Sequence, residues 1–466
     1  MTHEVFNRLR DAYTTGVTKP LAWRRGQLNA LRRMITENKQ AIIDAVAVDL
    51  GKPASETLLM EIDLVLSEAN FVRRRMRWWS ARHPKPMHWL LQPAVGWTIN
   101  EPKGVVLVIS PWNYPLLLSL EPMADAIAAG NAVCLKPSEL SPHISHLTAE
   151  LIERYMDTSA IAVVEGGPEE TTNLLAEPFD HIFYTGGGRV GRIVMKAASE
   201  HLTPVTLELG GKSPCFVDGT VSLATAARRI AWGKFTNAGQ TCVAPDYVLA
   251  TPDVAQVLAE RIALAVTEFY GEDPQASHSF ARIINERHFD RLSRLLPQEG
   301  DADDPAGQIV CGGQTDRADR YIAPTVLFGT SSDAPVMGEE IFGPILPVIV
   351  VQDAREAIEF INARSRPLAA YVFSRNLKTR GVFERDVNAG AIGYSLPLGH
   401  LISSRLPFGG TGESGMGAYH GKEGFRVFSH KKTVISKPLF PDTLRFIYPP
   451  FNDLRQKLIA IIGKLV

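Results

Sequence analysis

The sequence predicts an α/β protein with more than one domain, and three observations carry that expectation. At 466 residues the chain is too long for one simple core. Between Gly104 and Gly211, strand-like and helix-like stretches take turns, which is the pattern of parallel β-α-β units with helices on both faces. A second alternating stretch follows from about 212 to 410.

Taken in order, residues 1 to about 80 read as helical, because Leu28, Leu31, Ile35, Ile42, Ile43 and Val46 recur at three-to-four spacing. Pro84 and Pro86 end this region. The stretch 88–104, broken by Pro and Gly, predicts a β-hairpin leaving the domain surface. "GVVLVIS" (104–110) is an apolar β-branched strand. Helix "LLLSLEPMADAIAAG" is closed by Gly130, and strand "NAVCLKP" follows. "HISHLTAELIERYM", "EETTNLLAE" and "RVGRIVMKAASEH" then alternate as helices with strands "IAVVEG", "DHIFYTG" and "PVTLELGG". In the second stretch, 222–235 and 253–270 read as helices, and "DYVLA", "PILPVIV" and "LAAYVFS" as strands. "GQTDRADR" (313–320) reads as an exposed loop.

Composition narrows the function classes. Apolar residues make up 45% and charged residues 21%, with a formal net charge of −1, so a global electrostatic grip on nucleic acid is not expected. The basic run Arg73 to Arg77 reads as a solvated helix face. Cys134, Cys215, Cys242 and Cys311 are far apart with no CxxC pair, which suggests neither zinc, a redox dithiol nor a disulfide scaffold. The N-terminus has no apolar secretory core, and no apolar run reaches the ~20 residues of a membrane helix. The expectation is a soluble, cytoplasmic protein without a metal.

Sheets of this kind bind ligands beyond the carboxyl ends of their strands. Several of the informative residues lie just after the strands. In "YTGGGRVGRIV", the run Gly186, Gly187, Gly188, Arg189, Val190, Gly191 fits G-x-G-x-x-G between a strand and a helix. It reads either as a pyrophosphate cradle or as a tight turn. Glu208 stands about where that fingerprint wants a ribose-binding acid. "SPWNYP" (110–115) is a proline-stiffened loop presenting Trp112, Asn113 and Tyr114; it suits an amide that holds developing negative charge, or a plain turn. Lys136 and Glu139 in "CLKPSE" suit ribose hydroxyls or a surface ion pair. Glu340 and Phe342 in "EEIFGPILPV" suit a second ribose and a ring beside a nicotinamide, or a charged helix end. "NAGQTCVAPDYV" (237–248) surrounds Cys242 with small and amide-bearing residues, which suits an approachable nucleophile or an inert buried thiol.

Together these motifs resemble the aldehyde dehydrogenase superfamily across nearly the whole chain. "PWNYP", "KPSE", "LELGGKSP", "GQTC", "EEIFGP" and "LPFGGTGESGMGAYHGKEGF" stand in the family's order. "GQTCVAPDYVL" and the ending "FSHKKTVISKP" resemble the class 3 branch, which handles fatty and aromatic aldehydes with NAD or NADP and is usually dimeric. The resemblance implies a Rossmann-like cofactor domain (1–81 and 104–210), an α/β catalytic domain (211–416) and an oligomerisation arm (82–103 and 417–439). It implies Cys242 as nucleophile, Glu208 as general base in place of the ribose reading, and Asn113 as the oxyanion amide. Lys136, Glu139, Gly186 to Gly191, Glu340 and Phe342 become cofactor contacts. The implied reaction passes through a thiohemiacetal and a thioester, with Gln240 and Thr241 positioning the cysteine. Two alternatives remain. One is a CoA-acylating reductase, opposed by Glu208, and the other is a non-catalytic binding protein on the same fold. The loop "YSLPLGHLISSR" (394–405) departs from the family's usual turn near the expected substrate entrance. The tail 440–466 carries Leu454, Leu458, Ile461, Ile462 and Leu465 on one helical face. That face suits packing over the protein's own substrate entrance or a weak peripheral contact with lipid.

Overall fold

The structure, a computed structural model, describes residues 2–297 and 304–464. Its first α/β unit is a six-stranded sheet in the order Gly415–Met416, Val205–Glu208, His181–Thr185, Val105–Ile109, Ala132–Lys136, Ile161–Val163. All neighbours are parallel except the edge strand Gly415–Met416. The all-apolar strand Val105–Ile109 is explained by its surroundings. Val106 and Val108 face one core cluster, and Val105, Leu107 and Ile109 face the other, as the two-residue period requires when both faces are covered. Each such fully buried side chain stabilises the fold by about 1.5–3 kcal/mol relative to exposure. The N-terminal helices, from Thr2–Thr14 to Asp63–Trp79, flank this unit, and a π-helical turn interrupts them at Leu58–Ile62.

The second unit is a seven-stranded sheet in the order Gln308–Cys311, Thr325–Phe328, Ile345–Val350, Tyr247–Ala250, Pro214–Val217, Ala369–Phe373, Ala391–Tyr394. It is parallel apart from its first strand. A three-stranded antiparallel arm joins His83–Lys85, Val95–Pro102 and Ser429–Ser436, in register from Val95↔Ser436 to Pro102↔Ser429.

Four sequence expectations are corrected. The hairpin expected within 88–104 starts earlier, pairing His83–Lys85 with Val95–Pro102. Gly415–Met416, assigned by sequence to the catalytic domain, extends the first sheet instead. Much of 417–428 is not arm: helix Gly421–Val427 buries Phe425 against Trp79, and Phe428 packs on Phe183. The stretch 313–320 is part of a small hairpin, in which strand Thr315–Asp316 turns through 317–320 into Tyr321–Ile322. The Arg73 to Arg77 run does lie on a partly solvated helix. The tail forms a helix over Asp453–Lys464 in which Leu454 is exposed rather than packed. The side chains of Leu458, Ile461 and Ile462, and all of Leu465, lie outside the described residues. Among the described residues no helix is long and apolar enough to cross a membrane.

Candidate active site

A cavity of about 500 Å³ lies over the carboxyl ends of the first sheet. The loop after Val105–Ile109 brings Asn113, the loop after His181–Thr185 brings Gly186, Gly187, Gly188 and Arg189, and strand Val205–Glu208 ends in Glu208. The second unit closes the opposite wall. It contributes Cys242, from the turn before strand Tyr247–Ala250, and Glu340 and Phe342, from the turn before Ile345–Val350. Asn113 and Phe342, 229 positions apart in the chain, thus face one space.

Three residues of the glycine run have different tasks. Gly187 caps helix Gly188–Ser199 and has no neighbour where a Cβ would stand, so backbone there is open to a ligand. Gly191 lies off the cavity, where a Cβ would come 2.9 Å from Leu209, so it allows close helix–strand packing. Val190 also lies off the cavity, packed on the core. Lys136 and Glu139 stand outside the cavity too. Lys136 is buried, donates to Pro137 O at 2.7 Å and lies 3.9 Å from the exposed Glu139 carboxylate.

The turn carrying Cys242 explains its odd composition. Asn237, Ala238 and Gly239 all adopt left-handed backbone, with φ of 54°, 51° and 73°. For residues other than glycine this costs roughly 1–2 kcal/mol each, so the turn needs bonds to hold it. Gln240 supplies three: its Nε2 donates to Asn237 O (3.0 Å) and Arg282 O (2.9 Å), and its Oε1 accepts the Ile284 N–H (3.0 Å). Thr241 Oγ1 lies 2.8 Å from Tyr114 OH. The Asn113 carboxamide donates to Gln240 O at 3.0 Å, and an amide nitrogen carries a second proton. Cys242 is half-buried, and its own N–H and that of Val243 favour the thiolate form against that burial.

Electrostatics make this a site waiting for positive charge. Burial, with Glu340 and Glu208 nearby, pushes the Cys242 thiol up. Burial raises Glu208 well above the usual carboxylate range, and both its oxygens lack a partner. Burial, then Asp246, raises Glu340 to about 8, and its buried Oε1 is also unpartnered. Thr185 Oγ1 is a further buried orphan. Unpaired buried acceptors beside an open glycine turn fit a pyridine dinucleotide, whose hydroxyls donate and whose oxidised ring is cationic.

The sequence reading missed two cavity residues on helix Glu286–Ser293. Arg291 donates to Ile341 O (2.6 Å), Glu340 O (3.4 Å) and the Glu339 carboxylate (3.1 Å), which clamps the segment that presents Glu340. Asp246 accepts the Ile341 N–H at 3.0 Å, and Phe342 follows with a φ of 51°. His288 packs on Trp112 at 5.3 Å, and Trp112 meets Phe342 edge-on at 5.4 Å. Burial, then Arg291 and Arg287, lowers His288 to about 4, so it stays neutral near pH 7. No signal marked these residues, because an amphipathic helix 46 to 49 positions beyond Cys242 reads as an ordinary surface helix. The divergent loop 394–405 lies beside the nucleophile turn: Leu398 N–H bonds to Tyr371 OH, which donates to Val243 O at 2.6 Å.

A dinucleotide cradle facing a cysteine across a shared cavity marks an oxidoreductase of the cysteine-dependent class. The model of the aldehyde dehydrogenase family matches residues 3–434, and the chain belongs to that family. The chain is 47% identical to a Mus musculus protein named "Aldehyde dehydrogenase, dimeric NADP-preferring", covering 96% of this chain and 97% of that one. It is 45% identical to Homo sapiens "Aldehyde dehydrogenase family 3 member B1", covering 98% and 96%. Among solved structures, the Staphylococcus aureus AldH in its substrate-bound state superposes with a TM-score of 0.94 at 40% identity over 99% of both chains. A NAD-dependent aldehyde dehydrogenase from Sinorhizobium meliloti superposes with a TM-score of 0.86 at 28% identity, covering 97% of this chain and 88% of that one.

Proposed function

We propose that this aldehyde dehydrogenase oxidises apolar aldehydes to carboxylic acids through a covalent adduct on Cys242. The observation that carries the reading is the shared cavity of Cys242, Asn113 and Glu208. The Cys242 sulfur bonds to the aldehyde carbon and gives a thiohemiacetal. The free Asn113 N–H and the Cys242 backbone N–H face the oxygen that gains charge, a contribution of about 10²–10³ in rate for one such donor. NAD or NADP, held by the Gly187 turn, Glu340 and Phe342, would supply the hydride acceptor for oxidation of the adduct to a thioester. Glu208 then takes a proton from water, whose oxygen bonds to the acyl carbon as the C–S bond breaks, releasing acid and thiol. A carboxyl held in its neutral form by burial becomes a strong base once ionised, and Glu208 has no competing partner.

Support for apolar substrates comes from the 394–405 loop, which is tied to Val243 through Leu398 and Tyr371 and leaves Leu396 and Ile402 half-exposed. Support for a dimer comes from the arm, whose Val95 and Ile435 are exposed, and from the mouse relative's name. Replacing Cys242 with Ala tests the reading: no NADH forms above background from a medium-chain aldehyde. Formation near the wild-type rate would refute the nucleophile.

A further inference from the structure

Behind the cavity, one short segment of the first unit reaches both catalytic loops. It runs from Lys52 through helix Ala54–Thr57 and the π-helical turn Leu58–Ile62. The Asp63 N–H bonds to Leu58 O, five residues back, as a π turn requires. In an α-helix, residues five apart stand about 140° apart around the axis. The wider turn narrows that angle, and Glu56 and Glu61 each reach a backbone N–H of a loop beside the cavity.

Lys52 and Glu61 form an ion pair at 2.6 Å with both side chains fully buried. Their remaining bonds go to the loop that carries the oxyanion amide. Lys52 Nζ donates to Asn113 O at 2.9 Å, and Glu61 Oε2 accepts the N–H groups of Leu116 (2.9 Å) and Leu117 (3.3 Å). The other donor to Asn113 O is Asn237 Nδ2, also at 2.9 Å, from the left-handed turn before Cys242. Glu56 Oε2 accepts the backbone N–H of that same Asn237 at 2.9 Å. The segment therefore holds the amide's loop from two sides and the nucleophile's turn from a third. A buried ion pair adds little net stability, because desolvation offsets the attraction. Stability alone gives no reason for this one.

We infer that Lys52 and Glu61, with Glu56, are positioning residues that set the Asn113 amide against the Cys242 sulfur. They act through Asn113 and Asn237 and touch neither substrate nor cofactor. The inference rests on the aldehyde-oxidising reading above. A misplacement of about 1 Å at such a site costs on the order of 10²-fold in rate.

The test is the variant K52M/E61M, which leaves no lone buried charge, made in wild-type and N113A backgrounds. Two activities are measured per titratable Cys242 thiol. One is aldehyde oxidation, and the other is cofactor-free hydrolysis of 4-nitrophenyl acetate, which needs the nucleophile, the amide and the water-activating Glu208 but no hydride transfer. The expected result is a fall in both kcat values of about 10- to 100-fold, an unchanged KM for the cofactor, and no further fall in the N113A background. A role in folding alone would lower the yield and Tm while leaving kcat per titrated site intact, or would add independently to N113A; either result overturns the inference. Should K52M/E61M fail to fold, E56A at the accessible edge of the segment carries the same cycle. A wild-type protein that hydrolyses the ester but oxidises no aldehyde sinks the functional reading, and the ester cycle then decides the positioning role by itself.

Discussion

Cys242 sits where a thiolate is disfavoured. Burial is the main cause, and the carboxyls of Glu340 and Glu208 add to it. The sign of the Glu340 effect depends on pH. Held at about 8, Glu340 is neutral at pH 6.5 and anionic at pH 9, and only the anion opposes a neighbouring thiolate. Glu340→Gln should therefore leave the rate of Cys242 alkylation by iodoacetamide unchanged at pH 6.5 and raise it several-fold at pH 9. Equal rates at pH 9 would place Glu340 outside the electrostatic reach of the sulfur. The same shift has a stability side. A carboxyl whose folded pKa is raised favours the fold below its unfolded value near 4.5. That contribution is lost as pH rises through about 8. The Tm of Glu340→Gln relative to wild type should accordingly increase with pH across that window.

At the scale of elements, the strained turn 237–239 is the piece most exposed to small changes. A Cβ on Gly239 would meet the backbone of Gly343 and Lys234, and its φ of 73° disfavours any side chain. Gly239→Ala should destabilise the protein by about 2 kcal/mol or more and abolish activity. Gly187→Ala meets nothing within 4 Å. It should keep the wild-type Tm and raise the KM for the cofactor. Thermal melts with cofactor titrations separate the two outcomes. These elements also show what the sequence could reveal. The strand-then-glycine and strand-then-proline patterns made Gly186 to Gly188 and Asn113 legible, because backbone rules act locally. Arg291 and Lys52 were not legible. Their partners, Ile341 O and Asn113 O, lie 50 and 61 positions away, and no local spacing encodes a bond to a distant carbonyl. Gly415–Met416 was misplaced for a related reason: a two-residue edge strand has no periodicity to read.

For the whole molecule, the proposed dimer would form through the arm. Strand Ser429–Ser436 pairs with Val95–Pro102 and leaves Ile435 exposed, and the start of the tail is tied there by Thr443 Oγ1 donating to Gln92 O at 3.0 Å. Ile435→Asp should convert a dimer to a monomer in analytical ultracentrifugation while preserving the fold by circular dichroism; an unchanged dimer would move the interface elsewhere. The two α/β units matter to chemistry because they share the cavity wall. The first unit offers amide, carboxyl and glycine turn, and the second offers the sulfur. The most direct measurement of that convergence is mass spectrometry of Glu208→Gln after mixing with aldehyde and oxidised cofactor. One NADH or NADPH should form per subunit, and the peptide containing Cys242 should carry the acyl group as a stalled thioester. Steady turnover, or an acyl group on Cys134, Cys215 or Cys311 instead, would contradict it.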